Sequence, residues 1–215
     1  MNIAHWPLTG VLLAAFLPAH AADSTVVYIK GGSNPAAMAC VTCHGVEGEG
    51  MAAAGFPRLA GLPAGYMRKQ LADFASGARA NPVMQPIAAA LSAEEADAVT
   101  AMLADKPGPQ VERVGRTAAA EGPGETLALR GAWERNIPEC VACHGPSGVG
   151  VGDAFPPLAG QSAQYLASQL TAWRQGTRKN DPNDLMGHIA RSLTDDEIKA
   201  VSAYFAGLTD QGAAR

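Results

Sequence analysis

Apolar side chains at Tyr66, Leu71 and Phe74 fall on one face of a helix, and in the second half of the chain Tyr165, Leu170 and Trp173 repeat that face. Gly77 and Gly176 follow these faces, and glycine accepts the left-handed backbone past a helix terminus, so both helices are expected to end there. A last helix in each half opens on a capping box, Ser92 with Glu95 and Thr194 with Glu197, each preceded by a leucine placed as a hydrophobic staple. Neither half carries a convincing alternation of apolar and polar positions, the mark of a strand. The pattern predicts an all-α protein.

The halves also repeat in letters. "CVTCHG" at 40–45 returns as "CVACHG" at 140–145, "GFPRLAG" as "AFPPLAG", and "YMRKQLADFASGAR" as "YLASQLTAWRQGTR". Further on, "VMQPIAAALSAEEADAV" is matched by "LMGHIARSLTDDEIKAV". This is a tandem duplication of a unit of about 80 to 90 residues, a size that folds alone but marginally. The expected division is a first domain at 23–105, a linker at 106–123 rich in Gly, Pro and Ala without an apolar period, and a second domain at 124–215. The lead-ins differ: "ETLALRGAWERN" before the second repeat reads as a helix, whereas "STVVYIKGGSNPAAM" before the first holds Gly31-Gly32 and Pro35, which argues against an ordinary amino-terminal helix there.

Residues 1–22 contain no charged side chain, carry an apolar run from Leu8 to Leu17 and end in Ala19-His20-Ala21, the pattern of a cleaved secretory signal peptide. The expected destination is the periplasm. The missing Lys or Arg near the start departs from that pattern, and a retained segment would instead tie the protein peripherally to a membrane. With a formal net charge of -4 and 17% charged residues spread along the chain, there is no basic patch for nucleic acid.

All four cysteines lie in the two C-x-x-C-H phrases. A disulfide staple would join distant segments rather than residues three apart, and a thioredoxin-like pair needs a βαβ pattern absent here. Zinc needs further ligands, yet outside the leader the only histidines are His44, His144 and His188. Covalent haem attachment uses every group: Cys40 and Cys43, and again Cys140 and Cys143, add to the vinyl groups of one porphyrin each, and His44 and His144 bind the irons. The expected cofactor is two haem c.

On "CVTCHG" and "CVACHG", "PRLAG" and "PPLAG", "PVMQPIA" and "DLMGHIA", the chain resembles the class I c-type cytochromes, and among them the dihaem cytochrome c4 family. The resemblance implies two small helical domains, each folded around a covalent haem. It implies that the carbonyls of Pro57 and Pro156 accept a hydrogen bond from the axial histidines, and that the haems exchange electrons across the domain contact through their propionate edges. Donors would be a quinol-oxidising complex or a periplasmic dehydrogenase, and the acceptor a terminal oxidase.

The sixth iron ligand separates carriers from catalysts. Met186 is the only methionine of the second half, and of Met38, Met51, Met67, Met84 and Met102 only Met84 aligns with it, so Met84 and Met186 are the expected ligands and the other four are read as packing. His188 is the rival at the second haem, but its counterpart is Pro86. Arg79 and Arg178, just past the helix-ending glycines, are either propionate partners or solvated loop residues. Two closed irons leave outer-sphere electron transfer as the function. The alternative is an enzyme or enzyme subunit with one catalytic haem. A peroxidase would need a gating histidine, for which only His188 is available, and a cysteine-ligated sulfur-compound dehydrogenase would need a spare cysteine.

Overall fold

The computed structural model describes residues 22–111 and 120–209; the expected signal segment falls almost wholly outside them. The first half contributes α1 (Ser24–Lys30), α2 (Val41–His44), α3 (Ala64–Ser76), α4 (Met84–Ala90) and α5 (Ala93–Asp105). The second contributes α6 (Pro123–Arg130), α7 (Cys140–His144), α8 (Ala163–Arg174), α9 (Leu185–Ser192) and α10 (Asp195–Ala206). Among the described residues there are no strands, only isolated bridges. In each half the first helix packs on the last, α1 on α5 and α6 on α10, and the long middle helix packs on the last two.

The expected breaker before the first motif is instead a terminator. Asp23 caps α1 by accepting the amides of Thr25 and Val26, and the helix runs to Lys30 before Gly31 turns the chain at φ 96°. A methyl on Gly31 would lie 2.4 Å from the Ala37 carbonyl oxygen, so glycine is required by both backbone and space. The helix buries Val27 and Tyr28 against Leu62, Met67, Val99 and Leu103, an apolar gain that a short isolated helix lacks. In the second half Leu127, Leu129, Ile137, Ile198, Val201 and Phe205 form the matching core.

Both capping boxes form, with reciprocal bonds between Ser92 and Glu95 and between Thr194 and Glu197. Gly77 ends α3 in the left-handed conformation, whereas α8 stops at Arg174 with Gln175 as its cap, a step before Gly176. Of the methionines read as packing, Met67 is buried on α3, but Met38 and Met51 are 57% and 40% exposed, because both lie in loops flanking the first motif.

The two halves meet along a pseudo-symmetric seam. Arg79 and Arg178 form an antiparallel bridge, with Ala80 N donating to Thr177 O at 3.0 Å and Lys179 N to Ala78 O at 2.9 Å. At the "LAG" turns the Gln161 side chain spans the Arg58 backbone, accepting from its N–H at 3.1 Å and donating to its carbonyl at 3.0 Å. Residues 106–111 cross both turns: Gly108 lies against Gly61, Pro109 against Gly160, and Val111 bridges to Thr209.

Candidate functional site

Each C-x-x-C-H phrase folds into about one helical turn, α2 or α7, which puts cysteines three residues apart on one face with the histidine beside them. All four cysteines are unpaired and half-buried. Burial pushes the Cys40 thiol up, and the Cys140 thiol up to about 12. Among the described residues no three His, Cys, Asp or Glu side chains are grouped to hold a metal ion.

His44 and His144 are buried, and burial lowers both below the ordinary histidine range. Each donates from Nδ1 to a proline carbonyl, His44 to Pro57 at 2.9 Å and His144 to Pro156 at 2.8 Å. That bond fixes the tautomer and leaves Nε2 with its lone pair, the form that binds a metal. The Tyr28 hydroxyl, unmarked in the sequence reading, donates to the Gly45 carbonyl at 2.5 Å and ties α1 to the end of the first motif.

Met84 opens α4 and Met186 is the second residue of α9; both are half-buried, while His188 is exposed. The two are anchored differently. Asn81 accepts from Val83 N at 3.0 Å and Met84 N at 2.8 Å, a local turn. Asp181 instead accepts from Gly187 N at 2.9 Å and from the Trp173 indole at 2.8 Å, joining the start of α9 to α8. The helix α8 has no fully buried side chain, although Tyr165, Leu166, Leu170 and Trp173 are apolar or aromatic and only half covered. A half-covered apolar wall, a neutral imidazole with a free Nε2, two thiols and a thioether suit haem c, and the first half repeats the set with Tyr66, Leu71 and Phe74 half-buried.

Arg79 and Arg178 are not solvated: they are 5% and 6% exposed. Arg79 reaches Gln70 of its own domain at 2.9 Å and Tyr165 and Gln169 of the other at 2.6 Å each. Arg178 reaches Gln169 at 2.9 Å, Asn180 at 3.0 Å and, across the seam, Gln70 at 3.2 Å. Their guanidiniums lie 4.4 Å over the Phe74 ring and 3.7 Å over the Trp173 ring. These partners are all neutral, and burial followed by the Arg79 charge holds Arg178 below the ordinary arginine range. Two buried cations side by side make this seam a place for anionic groups.

Residues 29–105 and 132–209 each match the family model for cytochrome c. The chain is 69% identical over 209 residues, 97% of each sequence, to the thiosulfate dehydrogenase electron acceptor of Stutzerimonas stutzeri strain A1501. It is 38% identical to cytochrome c4 of Pseudomonas aeruginosa, over 80% of this chain and 85% of the other. Among solved structures it superposes on the thiosulfate dehydrogenase TsdBA of Marichromatium purpuratum with a TM-score of 0.76 and 41% identity, covering 86% of this chain and 39% of that longer one. Reduced cytochrome c4 from Pseudomonas stutzeri gives 0.69 and 35%, covering 79% of this chain and 93% of that one.

Proposed function

The chain belongs to the cytochrome c family as a dihaem electron-transfer protein of the cytochrome c4 type, and from that premise we propose that it is the periplasmic electron acceptor of a thiosulfate dehydrogenase. The observation that carries the partner is the 69% identity, sustained over nearly the full length, to a protein named for that role. Supporting the carrier chemistry is the duplicated donor set, an imidazole fixed by a proline carbonyl and a methionine in the first turn of α4 or α9.

When bound, haem c supplies a one-electron iron couple at each site. Cys40, Cys43, Cys140 and Cys143 would hold the two haems by thioether bonds, and His44 with Met84, and His144 with Met186, would supply the iron ligands. Pro57 and Pro156 set the orientation and basicity of the imidazoles. Arg79 and Arg178 would meet the propionate carboxylates at the seam, which would give the buried guanidiniums the counter-charge that their neutral hydrogen-bond partners lack. Two linked sites accept an electron pair from one dehydrogenase and release it singly to a downstream acceptor such as an oxidase. A signal peptide at 1–22 would direct the two domains, 23–105 and 124–215 joined by 106–123, to the periplasm.

The test is stopped-flow mixing of the oxidised protein with thiosulfate, with and without a thiosulfate dehydrogenase. Reduction at both haems only when the enzyme is present is the expected result. Failure of the enzyme to reduce it, with rapid reduction by a quinol-oxidising complex, would replace the dehydrogenase as donor.

A further inference from the structure

A cleft outside both proposed haem sites opens beside the "LAG" turns, where the two domains meet. Its volume is about 160 Å³, several times the roughly 30 Å³ share of a water and below the roughly 300 Å³ of a pocket for an organic ligand. Glu49, Phe56 and Arg58 of the first domain line it together with Gly160, Gln161 and Ser162 of the second; none of the cysteines, axial histidines or methionines does. Ser162 is the N-cap of α8, its hydroxyl accepting from Tyr165 N at 3.1 Å, so the positive end of a 12-residue helix borders the cleft.

Arg58 supplies a second positive group. It is 9% exposed, and its side chain has only uncharged partners: Nη1 donates to the Ala60 carbonyl and Nη2 to the Ala159 carbonyl at 3.4 Å, while Nε has none. These bonds use two of the five donors of a guanidinium. Burial lowers its pKa and no neighbouring carboxylate opposes that, yet a guanidinium stays protonated in a protein. A buried cation held by carbonyls alone lacks the counter-charge that burial demands. Glu49, the other charged residue lining the cleft, does not supply it. Its carboxylate is exposed and accepts from Glu47 N at 2.8 Å; backbone amides at Glu49 and Glu47, then the Lys106 charge, hold it low. The Gln161 side chain is occupied by the Arg58 backbone and by Ser162 N.

We propose that this cleft binds a small doubly charged oxyanion of the sulfate or thiosulfate class, held between the Arg58 guanidinium and the amino end of α8. Both domains contribute to the site, so the anion bridges them and its binding adds to the docking of the halves. The counterpart of Arg58 in the second half is Pro157, which leaves one such site per chain. The site does not depend on which enzyme donates the electrons.

The test is isothermal titration calorimetry of full-length oxidised holoprotein with sulfate, thiosulfate and phosphate, at an ionic strength held constant with chloride, on wild type, Arg58→Gln, Ser162→Asp and Glu49→Gln. One saturable site per chain is expected in the wild type. Arg58→Gln should weaken it at least about tenfold, the loss of a hydrogen bond to a charged group. Ser162→Asp keeps an oxygen to cap α8 but brings a carboxylate to the cleft, so it should fold as the wild type does and also bind at least about tenfold more weakly. Glu49→Gln removes a repelling charge and should bind as tightly as the wild type or more so. Equal binding of the three anions would make this a general oxyanion site, and a preference for thiosulfate would tie it to the substrate of the proposed donor; either supports the proposal. Heat that never saturates, or that is the same in wild type, Arg58→Gln and Ser162→Asp, would mean an adventitious ion only and overturn it. Loss of binding in Glu49→Gln with retention in Arg58→Gln would overturn it too, because the carboxylate and not the guanidinium would then be the binding group. Failure of reduction by thiosulfate dehydrogenase would touch only the donor.

Discussion

Met84 is the first residue of α4 and Met186 the second of α9, and neither belongs to a core cluster, so under the proposed ligation loss of a thioether would free an iron position without removing a core side chain. Met84→Ala and Met186→Ala should each make about half of the reduced haem reactive to carbon monoxide, the double variant all of it, and the exposed His188→Ala none, as read from the Soret band. The cysteines, histidines and methionines of the proposed sites could be picked out from sequence because their spacing is local or repeated between the halves. Arg58 and Asp181 were not picked out. Arg58 is a surface residue type whose side chain is buried with a contact to the Ala159 carbonyl, 101 positions away, and the significance of Asp181 lies in a bond to Trp173 on another helix. An asymmetry search over the aligned halves, Arg58 against Pro157 and Asn81 against Asp181, is the signal that could have found both.

Helix ends show the same division between local and distant causes. Both capping boxes were readable because their partners lie three residues apart, yet what those carboxylates do next depends on the fold. Glu95 also accepts the Ser33 amide at 2.6 Å, tying α5 to the lead-in loop, and Glu197 at the matching place binds Arg135 at 2.6 Å and 3.0 Å. Arg135, then the Thr194 amide and hydroxyl, hold the Glu197 carboxyl down to about 2 from an ordinary 4.5. A depressed folded-state value stabilises the protein above the unfolded value, and that stability is lost as pH falls from about 5 toward 2. Because the pair is only partly buried and solvent still screens it, the expected effect is about 1 kcal/mol rather than the full shift. Chemical denaturation should therefore show wild type exceeding Glu197→Gln by about 1 kcal/mol near pH 6, with the difference vanishing near pH 2. A pH-independent difference would mean that packing, not charge, links α10 to Arg135. The helix α1 was missed for a related reason: Gly31-Gly32 reads as a breaker, and only its burial against α5 shows that the chain is helical up to that point.

At the scale of the molecule, the repeat announces two domains but carries no signal for how they dock, since the residues of the seam are Arg, Gln, Tyr and Asn, polar types expected at a surface. Buried together they demand complete pairing. The Gln161 side chain is the point at which this is easiest to break, because it alone spans both the N–H and the carbonyl of Arg58 and its counterpart in the first half is Leu62. Gln161→Ala would strand two buried backbone groups in the other domain while leaving each haem donor set, and the Arg79–Arg178 contact, in place. The expected cost is about 2 kcal/mol, borne by the seam and not by either core. Thermal unfolding of the holoprotein followed at the Soret band and by calorimetry should show a single transition for wild type and a split or broadened one for the variant, with the pattern of carbon monoxide resistance unchanged. If the variant instead melts as one sharp unit at the wild-type temperature, the halves are held by Arg79, Arg178 and the 106–111 crossing, and the Arg58–Gln161 clasp contributes little to the docking.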